Sequence, residues 1–224
     1  MKKNIFLLLF TCCMSIAYAQ TIGVQLYSFR NEFAKDVEGT VKLVKSMGIT
    51  EVEGGDSYGL PAATFKKMLD DNGIRVISAG ADFNTLSTDI QSVIDNAKFY
   101  GAKYVVCFWI PHDDKKGFTL DDANKGISVL NTAGKTLKEH GLALCYHAHG
   151  YEFRPYGSTN LFDYLMQKLD PQYVNFEMDV FWMKHPGQDP AALLQQYPGR
   201  FKLMHLKDRR IGTAGNLDGH ADVE

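Results

Sequence analysis

The sequence predicts an α/β fold of the (β/α)8 barrel type, cut short before its eighth strand, and three observations carry that expectation. An amphipathic segment, a glycine and a short β-branched run recur in "LVKSMGITEVEGG", "MLDDNGIRVISAG", "AKFYGAKYVVCFW" and "TLKEHGLALCYH". Glycine suits the left-handed residue that closes a helix, and unbroken apolar runs suit strands buried on both faces. Such strands alternate with helices of ten or more residues, which means βαβ units and a parallel sheet. Finally, "GVQLYSFRNEF" at the first strand lacks the glycine-rich phosphate loop that an open doubly wound sheet would favour. A barrel, with its functional groups at the C-terminal strand ends, is therefore favoured over an open sheet.

Taken in order, strands are expected near 22–28, 50–54, 75–81, 103–110, 142–149, 173–180 and 201–207, with helices near 36–47, 61–72, 86–100, 119–140, 159–169 and 189–197. The last helix is well marked in "QDPAALLQQYPG": Asp189 is its N-cap, Pro190 its first residue, and Pro198 follows its end. No linker or low-complexity stretch interrupts the series, so residues 20–224 read as one domain. Seven strands are found where a closed barrel needs eight, and the sequence stops at Glu224 in a Gly/Asp-rich stretch. Strands one and seven would then be open edges, which natural proteins avoid. The expectation is a shortened chain, or a partner that covers the gap.

The first residues stand apart. "MKKNIFLLLFTCCMSIAYAQ" has a basic start, an apolar run and the small-x-small end Ala17-Tyr18-Ala19, the pattern of a signal peptide over residues 1–19 cut before Gln20. Its apolar run of about 13 residues falls short of the roughly 20 needed to span a bilayer, and Cys12 and Cys13 lack the small residue that would precede a lipidated cysteine. The expectation is an exported protein, periplasmic or extracellular, with no stable membrane insertion. Loss of Lys2 and Lys3 leaves 22 basic against 26 acidic side chains, a net charge of −4. No basic stripe with interleaved aromatics appears, so nucleic acid is not an expected partner. The two cysteines that remain, Cys107 and Cys145, sit in apolar strand runs and read as free core thiols.

Four strand ends carry polar residues on what should be their inward face. The sixth, "YVNFEMDVFW", alternates Val174, Phe176, Met178 and Val180 with Asn175, Glu177 and Asp179; period two sends the first set to the helices and the second into the barrel. The seventh, "FKLMHLKD", places His205 and Lys207 on one face, Met204 and Leu206 on the other. The fifth, "LALCYHAHGYEF", places Cys145, His147 and His149 together, with Glu152 just past Gly150. The second ends in Glu53. Imidazoles and carboxylates converging on one rim form a nitrogen and oxygen donor set suited to a divalent metal such as Mn, Zn, Co, Fe or Mg, and unlike a structural zinc site. Glu177 reads equally well as an interior polar group with a barrel partner. His112, His140, His185 and His220 fall in loops or at a helix end and read as surface residues.

These strand ends resemble the xylose-isomerase-like TIM-barrel superfamily, through "IGVQLYSFR", "EVEGG", "YHAHGYEF", "EMDVFW" and "HLKD". The resemblance implies one divalent metal held by residues at the ends of strands five to eight. It maps Asp179 and His205 onto the strand-six and strand-seven ligands, and it leaves the strand-five ligand between His147 and Glu152. Where a second histidine often follows the Asp, this sequence has Trp182, which would serve as a stacking wall for a sugar ring. The branch most resembled is that of exported sugar phosphate isomerase/epimerase-like proteins.

The reaction implied is proton abstraction next to a sugar carbonyl, giving a metal-stabilised enediolate. Glu152, His149 and His147 are candidates for the base, and Lys207 for a proton donor or substrate ligand. Glu53, Trp182 and Arg210 are the expected substrate contacts. Reprotonation of the enediolate gives an isomerase or epimerase; expulsion of a β-leaving group gives a dehydratase or keto-glycoside lyase. A non-catalytic carbohydrate-binding barrel is the alternative from another class. A small-molecule carbohydrate is the expected partner, and a homodimer is compatible with the sequence.

Overall fold

A computed structural model describes residues 21–220; the expected signal peptide lies outside them. Seven strands form one wholly parallel sheet in chain order: β1 (Val24–Gln25), β2 (Glu51–Gly54), β3 (Arg75–Ala81), β4 (Tyr104–Cys107), β5 (Ala143–His147), β6 (Val174–Asp179) and β7 (Phe201–His205). The helices are α1 (Arg30–Phe33), α2 (Val37–Ser46), α3 (Ala62–Asp71), α4 (Phe83–Thr88), α5 (Ile90–Tyr100), α6 (Leu120–Glu139), α7 (Leu161–Lys168), α8 (Val180–Lys184) and α9 (Pro190–Gln196). A short antiparallel ribbon, Pro155–Tyr156 against Thr159–Asn160, precedes α7.

The sheet is strongly curled. Glu53 on β2 and His205 on β7 are five strand spacings apart, about 24 Å in a flat sheet, yet His205 Nε2 lies 3.1 Å from Glu53 Oε1. The C-terminal strand ends therefore face one another across an interior, as in a barrel.

Local chemistry explains the helix ends. Gly48, Gly73, Gly101 and Gly141, the glycines of the recurring pattern, all have positive φ. Asp36, Asp82, Asp89, Asn160 and Asp189 accept backbone N–H bonds as N-caps, and Thr119 with Asp122 forms a capping box at the start of α6. Pro190 opens α9 as expected. The strands bury Val52, Val76, Val105, Leu144, Val174, Phe176 and Met178 against the helices; each such side chain contributes roughly 1.5–3 kcal/mol of burial. Cys107 and Cys145 are buried free thiols.

Several boundaries differ from the sequence expectation. The first strand is two residues long, and Leu26–Phe29 coils into a 3-10 helix. Leu26 turns onto Gly54 instead of extending the ladder; a Cβ at Gly54 would stand 3.1 Å from Leu26 Cδ1. The expected helix 86–100 is two helices, because Asp82 and Asp89 each start one. Met204 and Leu206, expected beneath helices, are 43% and 83% exposed, since no helix among the described residues covers that face of β7. His185, expected on the surface, is buried and stacks on Phe181 one helical turn earlier, with ring centroids 5.2 Å apart. Among the described residues no helix is long and apolar enough to cross a membrane.

Candidate functional site

Strands β5, β6 and β7 end side by side, and their inward residues meet. His147 pairs with Glu177 in the β5–β6 register, and Asp179 with His205 between β6 and β7. His147 Nδ1 lies 2.8 Å from Glu177 Oε2, and His205 Nε2 lies 3.3 Å from Glu177 Oε1. Asp179 Oδ2 lies 3.9 Å from His147 Nε2 and 3.7 Å from His205 Nδ1. From β2, Glu53 Oε1 accepts from Gln25 Nε2 at 2.9 Å, and its Oε2 accepts from Ser78 Oγ at 2.6 Å. Glu53, His147, Glu177 and Asp179 are all buried, and His205 is half-buried.

So many ionisable groups in a dry space cannot all be charged. Burial, then the charge of Glu53, pushes Glu177 up to about 9, so Glu177 keeps its proton. Burial is the largest single influence on Glu53 and pushes it upward, but the hydrogen bond and charge of His205, with the hydrogen bond from Ser78, together outweigh it and hold Glu53 below the usual range. His205 is pulled down by burial and raised more strongly by Asp179 and Glu53, reaching about 10. His147, buried and beside that imidazolium, falls to about 4. Asp179 stays below the ordinary value despite burial, because His205 and His147 flank it.

His147 Nε2 is buried without a hydrogen-bond partner, and it faces the Asp179 carboxylate beyond hydrogen-bonding distance. Donor atoms 3–4 Å apart are the spacing that ligands around one small cation adopt when each bond is about 2.0–2.2 Å. Among the described residues, His147, Glu177 and His205 place one potential ligand atom each within 4.8 Å of one another. A divalent ion therefore fits this donor set, taking the place of the protons on Glu177 and His205.

The other expected site residues lie around this cluster. Glu152 is fully buried in the 3-10 turn Tyr151–Phe153, where Oε1 accepts from Tyr146 Oη and from His149 N at 3.2 Å. It is absent from the ligand-spaced set, and burial raises its pKa to about 7. Tyr146 Oη also meets Tyr151 Oη at 2.9 Å, which accepts from Ile110 N at 2.9 Å. Glu152 thus belongs to a buried tie between the ends of β4 and β5. His149 sits between His147 and Trp182, with ring centroids 4.5 and 5.2 Å away, and its Nδ1 is buried without a partner. Trp182 is only 7% exposed, with the Lys207 ammonium 5.5 Å from its ring, so little of its face is open for stacking. Arg210 is exposed in the loop after β7.

From the sequence alone Glu177 is undecided; the signal is its place on the inward face of β6. Gln25 and Ser78, which orient Glu53, carry no signal there, because their role depends on which strands are neighbours.

A family model described as xylose isomerase-like TIM barrel matches residues 41–224. The chain belongs to that family. An inosose dehydratase 2 of Bacillus cereus is 28% identical over 184 residues, covering 73% of this chain and 60% of the relative. The chain thus spans about three fifths of that relative's length. A solved sugar phosphate isomerase/epimerase of Parabacteroides distasonis superposes with a TM-score of 0.74 at 26% identity, covering 90% of this chain and 82% of that one. An IOLI protein solved with a bound zinc atom shares the fold, with a TM-score of 0.63 at 13% identity over 85% of this chain and 76% of that one. The relatives of this family member thus include a dehydratase and a sugar phosphate isomerase/epimerase.

Proposed function

We propose that this family member acts on a sugar bearing a carbonyl, removing a proton from the adjacent carbon at a metal centre held by His147, Asp179 and His205 with Glu177. The observation that carries this reading is the convergence of those four side chains at three consecutive strand ends, with the buried His147 Nε2 left without a partner. A divalent ion held there would act as a Lewis acid toward a carbonyl oxygen and would neutralise negative charge that develops beside it.

The chain's own residues supply the rest. Glu53, fixed by Gln25 and Ser78, accepts a hydrogen bond from a sugar hydroxyl. His149 takes the proton at Nδ1, which has no competing partner. Lys207, held over Phe181 and Trp182 at 5.0 and 5.5 Å, returns a proton or binds a substrate oxygen. Glu152 is committed to Tyr146 and the His149 amide, which makes it a positioning group. The metal-binding arrangement favours catalysis over simple carbohydrate binding, and the expected export favours free sugars or glycosides over sugar phosphates as substrate.

The test is incubation with a 3-keto sugar and Mn²⁺ in D₂O, followed by NMR. Deuterium at the carbon next to the carbonyl, without elimination, supports isomerase or epimerase chemistry. Loss of the leaving group identifies a lyase or dehydratase. Neither exchange nor elimination in metal-loaded protein overturns the enzyme reading.

A further inference from the structure

Beside the metal-binding cluster lies a cleft of about 320 Å³, between the ends of β3 and β4, lined by Gly80, Phe83, Asn84, Phe108, Trp109 and Pro111. Its size is that of a small-ligand pocket, and its walls are mostly apolar. The one carboxylate on its rim, Asp82, is committed to the backbone and hydroxyl of Thr85 as the cap of α4. Phe108, Trp109 and Pro111 are only half-buried, so apolar surface stays open where water would otherwise sit. Gly80 makes the wall possible: a Cβ there would stand 2.8 Å from Phe108 Cε2, displacing the ring.

Phe108 also joins the cleft to the cluster. Its ring centroid lies 5.5 Å from that of His147, and the Trp109 ring lies 5.5 Å from His149. A ligand whose sugar reaches His147 and His149 can therefore place its substituent against these two aromatic rings. We infer that this cleft is a subsite for a flat, uncharged aromatic group carried by the sugar, so that the substrate class is an aryl glycoside or a sugar with an equivalent apolar substituent. The inference rests on the sugar-acting reading of the adjacent cluster, and it adds the non-sugar half of the substrate.

Direct binding tests it without turnover. Phenyl β-glucoside and methyl β-glucoside are titrated against the full chain and followed by saturation-transfer NMR. The phenyl compound is expected to bind about tenfold more tightly, with the strongest transfer to its ring protons. Trp109→Ala should bring the two affinities close together. Because Trp109 also packs on Tyr151, a second variant guards against misfolding: Asn84→Trp, at an exposed position on the lip, should fill the cleft and remove the same preference with circular dichroism unchanged. Equal affinity for the two glucosides in the unaltered protein, or a phenyl preference that survives both substitutions, overturns the subsite. A phenyl preference with neither deuterium exchange nor elimination on any keto sugar would uphold the subsite and sink the reaction. Exchange or elimination with no phenyl preference does the reverse.

Discussion

Glu152→Gln isolates the one fully buried carboxyl, among the described residues, that stands outside the cluster of His147, Glu177, Asp179 and His205. In the folded protein its Oε1 accepts from Tyr146 Oη and His149 N, its Oε2 has no partner, and burial raises its pKa from 4.5 to about 7. The unfolded chain releases this proton near its ordinary value, while the folded chain keeps it until near neutrality. Because the folded pKa is the higher one, the group's contribution is fully present below about 4.5 and is lost as pH rises through about 7. Each pH unit of that window corresponds to about 1.4 kcal/mol, so the whole is about 3 kcal/mol. Glutamine keeps the accepting oxygen and carries no charge at any pH. The unfolding free energy of Glu152→Gln minus that of the unaltered protein should therefore grow by up to about 3 kcal/mol between pH 5 and pH 8. Urea denaturation followed by far-ultraviolet circular dichroism at four pH values measures it. A difference that stays flat across the series would refute the reasoning, because it would mean that Glu152 is ionised in the folded protein at the same pH as in the unfolded one.

Further expectations concern the metal centre and the interior. Asp179→Asn keeps the oxygen that caps α8 at Trp182 N and removes the ligand charge; it and His205→Ala should each weaken Mn²⁺ or Zn²⁺ affinity by at least about a hundredfold in titration calorimetry. His147→Ala should weaken metal binding more than Glu152→Ala does, and the reverse order would place the ligand at Glu152. Tyr151→Phe leaves Ile110 N without its acceptor and breaks the contact with Tyr146; the cost should be about 1–3 kcal/mol in denaturant unfolding. The Cys107 thiol, pushed by burial to about 12, should resist iodoacetamide at pH 8 in the native protein and react once urea exposes it, as read by mass spectrometry.

The alternation of polar and apolar residues in "YVNFEMDVFW" is enough to orient β6, since period two leaves one choice of face once Phe176 and Met178 must be buried. It does not reveal that Glu177 meets His147, because that contact depends on which residue of β5 lies opposite, a matter of register. Glu152 shows the opposite difficulty. Nearness in sequence to His147 and His149 suggests a ligand, but the chain turns at Gly150, with φ +92, and carries the carboxyl to Tyr146. His185 misleads for a similar reason: a histidine beside Pro186 and Gly187 reads as a loop residue, and its packing on Phe181 and Trp182 places it in the interior. Helix starts marked by Asp and Thr are legible where the cap lies one residue before an apolar segment. The first strand is not, because Leu26 packing on Gly54 is a tertiary event.

The hydrogen bond between Glu53 and His205 joins residues 152 positions apart. Contacts at such separation form only after a long chain segment has been ordered between them, with the entropy of that ordering already spent. The cluster at the strand ends is therefore expected to form late in folding, when the sheet curls far enough to bring β7 back toward β2. A population of molecules with the edge strand detached would keep most of its helices and core yet have no working centre. Metal uptake would then report how many molecules have closed, a quantity to which overall helical content is almost blind.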